Sequence, residues 1–350
     1  MPPWACEVKA SRKPDPANST GRWMVSLFKE GHAPKRALFR VDAGSVPGLS
    51  FGHLSRCLVM ARAFQQCFWC ESLFLMRDYD EGVSHAKKAG KRVITMPAHI
   101  ENDREKARVL KAVKDFRADL LVVDLPYPEP DTSYYRNLRR GGTKIIFIDD
   151  SRYISPPADV ILNSNILAQT RTPIIFENRS RYLLGPEYFI FDVCECLCEP
   201  QKRTGWFNVV VTFGGSDPCD LTVKVLSALS NQSWPEVWFT IVLGPGYQQG
   251  DRVDPLLERG QIKGEVLKNP PALIPLLLGS DLTLCGGGRT MYELLYLDKP
   301  LLALSSAPHE SEGIREFLRQ GWVRFGFTSW DKALFLSGFR KIMRELMKGK

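Results

Sequence analysis

The stretch "SVPGLSFGHLSRCLVMA", residues 45–61, sets turn-forming residues and Gly52 directly ahead of His53, then opens a helix-patterned run. An imidazole titrates near neutral pH, so at the mouth of such a turn it can serve as a general base; it can equally cap the helix or pack beneath the turn. Further along, "VTFGGSDP" and "LCGGGRTMYE" each place glycines between an apolar run and a helix pattern, the second with three in succession, Gly286, Gly287 and Gly288. Bare amides at the positive end of a helix suit a phosphate, and two such turns in one half of the chain point to a diphosphate. Steric fit alone also puts glycine in tight strand-to-helix turns. Neither turn carries the lysine and hydroxyl of a Walker loop, and no GxGxxG is complete. Glu293 lies one helical turn past Arg289, where its carboxylate can accept from two ribose hydroxyls or simply offset the helix dipole.

These residues need a scaffold, and the hydrophobic pattern supplies one. "ALFRV" (37–41) reads as a strand, Leu54, Cys57, Leu58, Ala61 and Phe64 recur at helical spacing, and "SLFLM" (72–76) reads as a strand again. The rhythm continues through "KRVITM", a charged helix near 102–116, "DLLVVD" (119–124), a helix near 132–140 and "KIIFIDD" (144–150). It breaks between "RYLLGPEYFIF" and "CECLCEPQKRTGW", and a second run opens at "NVVVTFGGSD" (208–217), continuing with "VWFTIVLG", "DLTLCGGG" and "PLLAL". Strand and helix alternating in this way means parallel sheets with helices on both faces. The expected architecture is α/β, two Rossmann-like domains facing a cleft. Residues 1–35 are expected to be a disordered or loosely attached extension, 36–200 the N-terminal domain with the histidine, and 201–350 the phosphate-binding domain.

Composition narrows the function. A net charge of +8 without a long basic run gives a diffuse attraction for anions, which suits phosphorylated small molecules, and no nucleic-acid partner is expected. Nine cysteines without regular spacing read as reduced thiols; "CFWC" and "CECLC" lack the spacing of a structural zinc site, so no metal and no cofactor are expected. No apolar run reaches membrane-spanning length, and "MPPWACEVKASRKPDPANSTGRW" has charges and prolines where a signal peptide needs an apolar stretch. A cytoplasmic monomer is the expectation.

In order along the chain, "LFRVDAGSVPGLSFGHLSRCLVMARAF", "VVDLPY", "IIFIDD", "VILNSNILAQ", "YLLGPEYFIF", "VVVTFGGSDPCDLTVKVLSAL" and "LTLCGGGRTMYELLYLDKPLLAL" follow the motifs of the UDP-sugar hydrolases of pseudaminic acid biosynthesis. The chain resembles that family from residue 37 to about 321, and through it the GT-B glycosyltransferases. The resemblance implies that water displaces UDP from the anomeric carbon of a UDP-linked 2,4-diacetamido-2,4,6-trideoxy sugar, with inversion. It implies His53 as the catalytic residue, with Gly48 and Gly52 near the leaving diphosphate. It further implies UDP held by Gly214, Gly215 and Ser216, by Gly287, Gly288, Arg289 and Thr290, and by Glu293 on the ribose. Asp42, ending the first strand, is a candidate to orient the histidine or hold a sugar hydroxyl, or else a turn cap. Asp124 and Tyr127 resemble the family's aspartate and nearby tyrosine, although "DLPY" sets the tyrosine one position off. Where the family has amides facing the sugar, this chain has Pro308 and His309, with Glu310 retained. A GT-B transferase acting on another acceptor is the alternative, and a non-catalytic nucleotide-sugar binding module a third.

Overall fold

The computed structural model describes residues 24, 27–28, 33–44, 46, 49, 51–125, 127, 131–149, 152–191, 198–259 and 262–348. The first half runs β1 (Arg36–Val41), α1 (Gly52–Phe68), β2 (Glu71–Arg77), α2 (Asp80–Lys88), β3 (Arg92–Met96), α3 (Asn102–Phe116), β4 (Leu120–Asp124), α4 (Tyr134–Arg140), β5 (Lys144–Ile148), β6 (Val160–Asn163), α5 (Ala168–Arg171) and β7 (Arg181–Leu184). The second runs β8 (Phe207–Thr212), α6 (Leu221–Leu229), β9 (Val237–Leu243), α7 (Asp254–Arg259), β10 (Gly264–Lys268), α8 (Ile274–Gly279), β11 (Leu282–Gly286), α9 (Arg289–Tyr296), β12 (Leu301–Leu304), α10 (Pro308–Arg319), β13 (Phe325–Phe327) and α11 (Lys332–Lys348).

Two parallel sheets result, ordered β3-β2-β1-β4-β5-β6-β7 and β10-β9-β8-β11-β12-β13. Each is wound outward in both directions from a central pair, β1 beside β4 and β8 beside β11. At such a switch point the loops leave the carboxyl ends of neighbouring strands in opposite directions and open a crevice. The segments singled out in the sequence as chemically active leave these two places.

Helices cover both faces of each sheet, so the strands are apolar on both sides. In β1, Phe39 is fully buried, its ring stacked on Phe74 of β2 at 4.9 Å and packed against Phe64 of α1 at 6.3 Å. Burying a side chain of this size contributes on the order of 1.5–3 kcal/mol. The halves are joined through aromatic rings: Phe189 stacks on Tyr292 of α9 at 5.2 Å, and Phe191 meets Tyr296 at 4.8 Å.

Residues 1–35 lie mostly outside the described residues, but Met24 is completely buried in the core beneath α1, and Phe28 sets its ring edge-on to Phe64 and Phe68 at 6.1 and 5.6 Å. Met24 and Phe28 are thus in contact with the core of the first half. Both are masked in the sequence by the polar, proline-rich run before them. Cys194 and Cys196 of "CECLC" lie outside the described residues, while in "CFWC" Cys67 is exposed and Cys70 buried.

Candidate active site

His53 sits in the first turn of α1, and Asp124 ends β4. Parallel pairing aligns Asp124 with Val41 of β1. Side chains alternate across a strand, so Asp124 projects to the α1 face with Val41, whereas Asp42 projects to the opposite face with Arg40. The core follows the same parity: Val41 and Val122 pack with α1, Leu38 and Val123 with α3.

The consequence is that Asp124, and not the candidate Asp42, pairs with the histidine. Asp124 Oδ1 lies 2.7 Å from Nδ1 of His53, and Asp124 is fully buried while the His53 side chain keeps 13% exposure. Arg56, one turn along α1, donates from Nε to Oδ2 at 2.5 Å and from Nη2 to Oδ1 at 2.6 Å. Burial alone would raise the Asp124 pKa, but the Arg56 charge, with His53, outweighs it and holds the carboxyl below its usual value. An ionised carboxylate on Nδ1 is what a histidine needs to present a basic Nε2. Arg56 is not singled out by any motif, although its i+3 spacing from His53 puts both on one helix face.

Asp42 does not orient the histidine. It is buried among Arg40, which donates to both of its oxygens at 2.8 Å, the Arg77 backbone amide at 2.6 Å and the Tyr127 hydroxyl. Arg40 also donates to Glu105 of α3 at 2.5 Å and to the Tyr127 hydroxyl at 2.6 Å, and Arg77 donates to Glu105 at 2.6 Å while lying 4.3 Å over the Tyr127 ring. Burial pushes the Tyr127 hydroxyl pKa well up, against the pull of Arg40. Tyr127 and Asp42 thus belong to an ionic cluster on the far face of the sheet from His53. The resemblance offers Tyr127 as a group facing sugar or water; here its hydroxyl is taken up by Asp42 and Arg40.

Facing α1 across the crevice, the two glycine turns differ. After β8, Gly214 has φ +81°, which only glycine adopts without strain, and a Cβ on either Gly214 or Gly215 would meet nothing within 4 Å. Here the amides of Leu221 and Thr222 in α6 are bonded to Asp217 at 2.8 Å, so this helix start is satisfied by the chain itself. At the start of α9 the N-cap Gly288 provides no side-chain cap, and the Met291 amide is bonded to the Gly288 carbonyl at 3.1 Å. Gly287 is glycine for a packing reason, since a Cβ there would come within 2.9 Å of Glu310 Cβ.

A cavity of about 770 Å³ lies between the halves, lined on one side by Gly44, Val46, Leu49, Phe51 and Gly52 and on the other by Gly214, Gly215, Ser216, Gly286, Gly288, Arg289, Thr290, His309 and Glu310, among others. That volume suits a small-molecule ligand. His53 adjoins the lining through Gly52. Gly48 lies outside the described residues. Glu293 does not reach the cavity; its carboxylate is paired with Arg289 Nε at 2.8 Å, and Arg289 is in turn held by the Ile190 carbonyl at 2.8 Å and the Phe189 ring at 4.9 Å. Glu310, in the first turn of α10, does line it, with Oε2 fixed by the Ser306 amide and hydroxyl at 2.7 and 2.8 Å. Pro308 begins α10, where no amide is needed, which accounts for proline at that position. Among the described residues no group of three or more His, Cys, Asp or Glu side chains is arranged to hold a metal ion, and no helix is long and apolar enough to cross a membrane.

Two parallel-sheet Rossmann-like domains with a ligand-sized cleft between their switch points define the GT-B architecture, and solved structures of that kind superpose on this chain. MurG of Acinetobacter baumannii matches with a TM-score of 0.60 at 13% identity, covering 89% of this chain and 92% of that one. HepE of Anabaena, solved with UDP-glucose, matches with a TM-score of 0.55 at 14% identity, covering 89% and 90%. In sequence, an uncharacterized protein of Methanocaldococcus jannaschii is 28% identical over 290 residues, 80% of this chain but 58% of that protein's length. The spore coat polysaccharide biosynthesis protein SpsG of Bacillus subtilis is 23% identical over 286 residues, 80% of each chain, and is a distant homologue. No family model matches the chain.

Proposed function

We propose that the chain hydrolyses a UDP-linked 2,4-diacetamido-2,4,6-trideoxy sugar to UDP and the free sugar. The observation that carries this reading is the His53–Asp124 pair next to Gly52, which lines a cleft whose opposite wall includes the start of α9. In the reaction, a water oxygen attacks the anomeric carbon, its proton passes to His53 Nε2, and the bond from that carbon to the diphosphate oxygen breaks with its electron pair leaving on UDP. Displacement from the opposite side inverts the configuration. Asp124 accepts the Nδ1 proton bond and stabilises the imidazolium as it forms. The amides of the 214–216 turn and of the α9 start, with Arg289 and Thr290, receive the diphosphate charge as it develops. HepE, of the same fold, was solved with UDP-glucose, which supports a UDP-sugar as the ligand class here.

The same pair serves equally to deprotonate an acceptor hydroxyl, so sugar transfer is the second reading, favoured by the fold shared with a rhamnosyltransferase, SpnG, at a TM-score of 0.58. The test is incubation with the UDP-sugar in ¹⁸O-labelled water. Label in the free sugar and none in UDP is expected; label in UDP means attack at phosphorus, and no release of sugar without an added acceptor means transfer.

Glu310 is placed to accept a hydroxyl hydrogen bond from the ligand in this cavity. Glu310→Ala is expected to weaken UDP-sugar binding roughly tenfold or more, as loss of a charged hydrogen bond does, measured by calorimetry. Glu293, given a ribose role by its sequence position, is engaged through Oε1 with Arg289 and is not part of the cavity lining, so the role is proposed for Glu310 instead.

A further inference from the structure

The two walls of the cavity differ in chemistry. On the side of the second half stand Ser216, Arg289, Thr290, His309 and Glu310, among others, all able to hydrogen-bond. The described residues on the side of the first half are Gly44, Val46, Leu49, Phe51 and Gly52, and none of them has a polar side chain. Local packing fixes this apolar wall. The Leu49 amide donates to the Val46 carbonyl at 3.0 Å, which sets both residues in one turn. Leu49 packs so closely on Gly44 that a Cβ there would come within 3.2 Å of Leu49 Cδ2, and the Phe51 ring is backed by that of His85, edge-on at 5.8 Å. Val46 still keeps 40% exposure, so apolar area remains for a ligand to cover.

We infer that Val46, Leu49 and Phe51 determine which sugar the site accepts: they receive the methyl groups of an acylated deoxy sugar and select against a hexose that keeps its hydroxyls. The inference rests on the reaction proposed for His53 in one respect, the placing of the sugar ring. For a water held by His53 to reach the anomeric carbon while the diphosphate lies on the far wall, the ring must lie between them, against the wall that includes Gly52. A hydroxyl turned to that wall gives up its water and finds no side chain to replace it, which is unfavourable. A methyl group in the same place gains by leaving water. Linked through its anomeric carbon, a 2,4-diacetamido-2,4,6-trideoxy sugar carries three methyl groups and a single free hydroxyl, whereas glucose carries four hydroxyls and no methyl. The wall fits the first of these and not the second.

The test is calorimetric titration of the full chain with UDP and with two UDP-sugars, the diacetamido-trideoxy compound and UDP-glucose, each carrying CH2 in place of the oxygen between sugar and phosphate so that neither is cleaved. The wild type is expected to bind the first sugar compound roughly ten- to a hundredfold more tightly than the second, the range an apolar pocket supplies. The double variant Val46→Thr with Leu49→Asn keeps the branching of both side chains and adds polar atoms to the wall. It is expected to cut that preference by about fivefold or more while UDP affinity stays within about twofold. Equal wild-type affinities for the two sugar compounds overturn the inference, as does a preference unchanged in the double variant. A matching loss of UDP affinity in the variant overturns it too, because the wall then faces the nucleoside. Cleavage plays no part in these affinities, so they stand apart from the labelled-water result. The expected preference with no label entering free sugar removes the hydrolysis and keeps the wall; label in free sugar with equal affinities removes the wall alone.

Discussion

Replacing His53 with alanine is expected to lower kcat by about 100-fold or more while leaving UDP affinity within about twofold. The split follows from position. His53 approaches the cleft from the N-terminal half, next to Gly52, whereas the residues assigned to UDP lie on the opposite wall. Removing the ring takes away a proton acceptor needed only as the bond to the anomeric carbon breaks. Asp124→Asn should follow the same pattern, since an amide keeps the shape but loses the charge that stabilises an imidazolium. Steady-state kinetics on the UDP-sugar, with product inhibition by UDP as the affinity measure, checks both. Full turnover in His53→Ala would remove the histidine from the mechanism, and a large loss of UDP affinity would make it a binding residue instead.

Much of the arrangement is legible in the sequence, for a physical reason: parallel strands covered on both faces must be apolar throughout, so "LLVVD" and "NVVVT" stand out. The glycine turns stand out because they interrupt such runs at the carboxyl end. His53 is legible for its place behind Gly52. The carboxylate that serves it is not, because both Asp42 and Asp124 end strands and the sequence does not state which strands are neighbours. Once β1 lies beside β4 with Val41 opposite Asp124, parity alone sends Asp42 away from α1. Arg40 misleads in a similar way, since "ALFRV" reads as an apolar strand; its arginine is fully buried and carries the far-face cluster. The two glycine turns also differ in a way invisible to pattern: after β8, Asp217 bonds the Leu221 and Thr222 amides that open α6. Glu310 lies in a different helix from Arg289 and reaches the cavity only because α10 packs its first turn over Gly286–Gly288.

The far-face cluster makes the second large prediction. Four charged groups, Arg40, Arg77, Asp42 and Glu105, balance to zero in a region where Arg40 and Asp42 are both fully buried. Arg40→Met leaves two carboxylates against the single guanidinium of Arg77, whose Nε stands 3.9 Å from Asp42. An uncompensated buried charge costs about 3–5 kcal/mol, and the midpoint of thermal unfolding is expected to fall by roughly 10 °C. The double variant Arg40→Met with Asp42→Asn restores neutrality, keeps an oxygen to accept from the Arg77 amide, turns an NH2 donor toward the Tyr127 hydroxyl oxygen, and leaves Glu105 paired with Arg77 at 2.6 Å. It should therefore be more stable than the single Arg40→Met variant, even though it carries one more substitution. Calorimetry of the wild type, both single variants and the double variant closes the cycle. Strict additivity of the two losses would mean that Arg40 and Asp42 do not act through one another. An Asp42→Asn enzyme of unaltered stability with kcat lowered as far as in His53→Ala would return Asp42 to the reaction centre, against the side of the sheet on which its carboxylate lies.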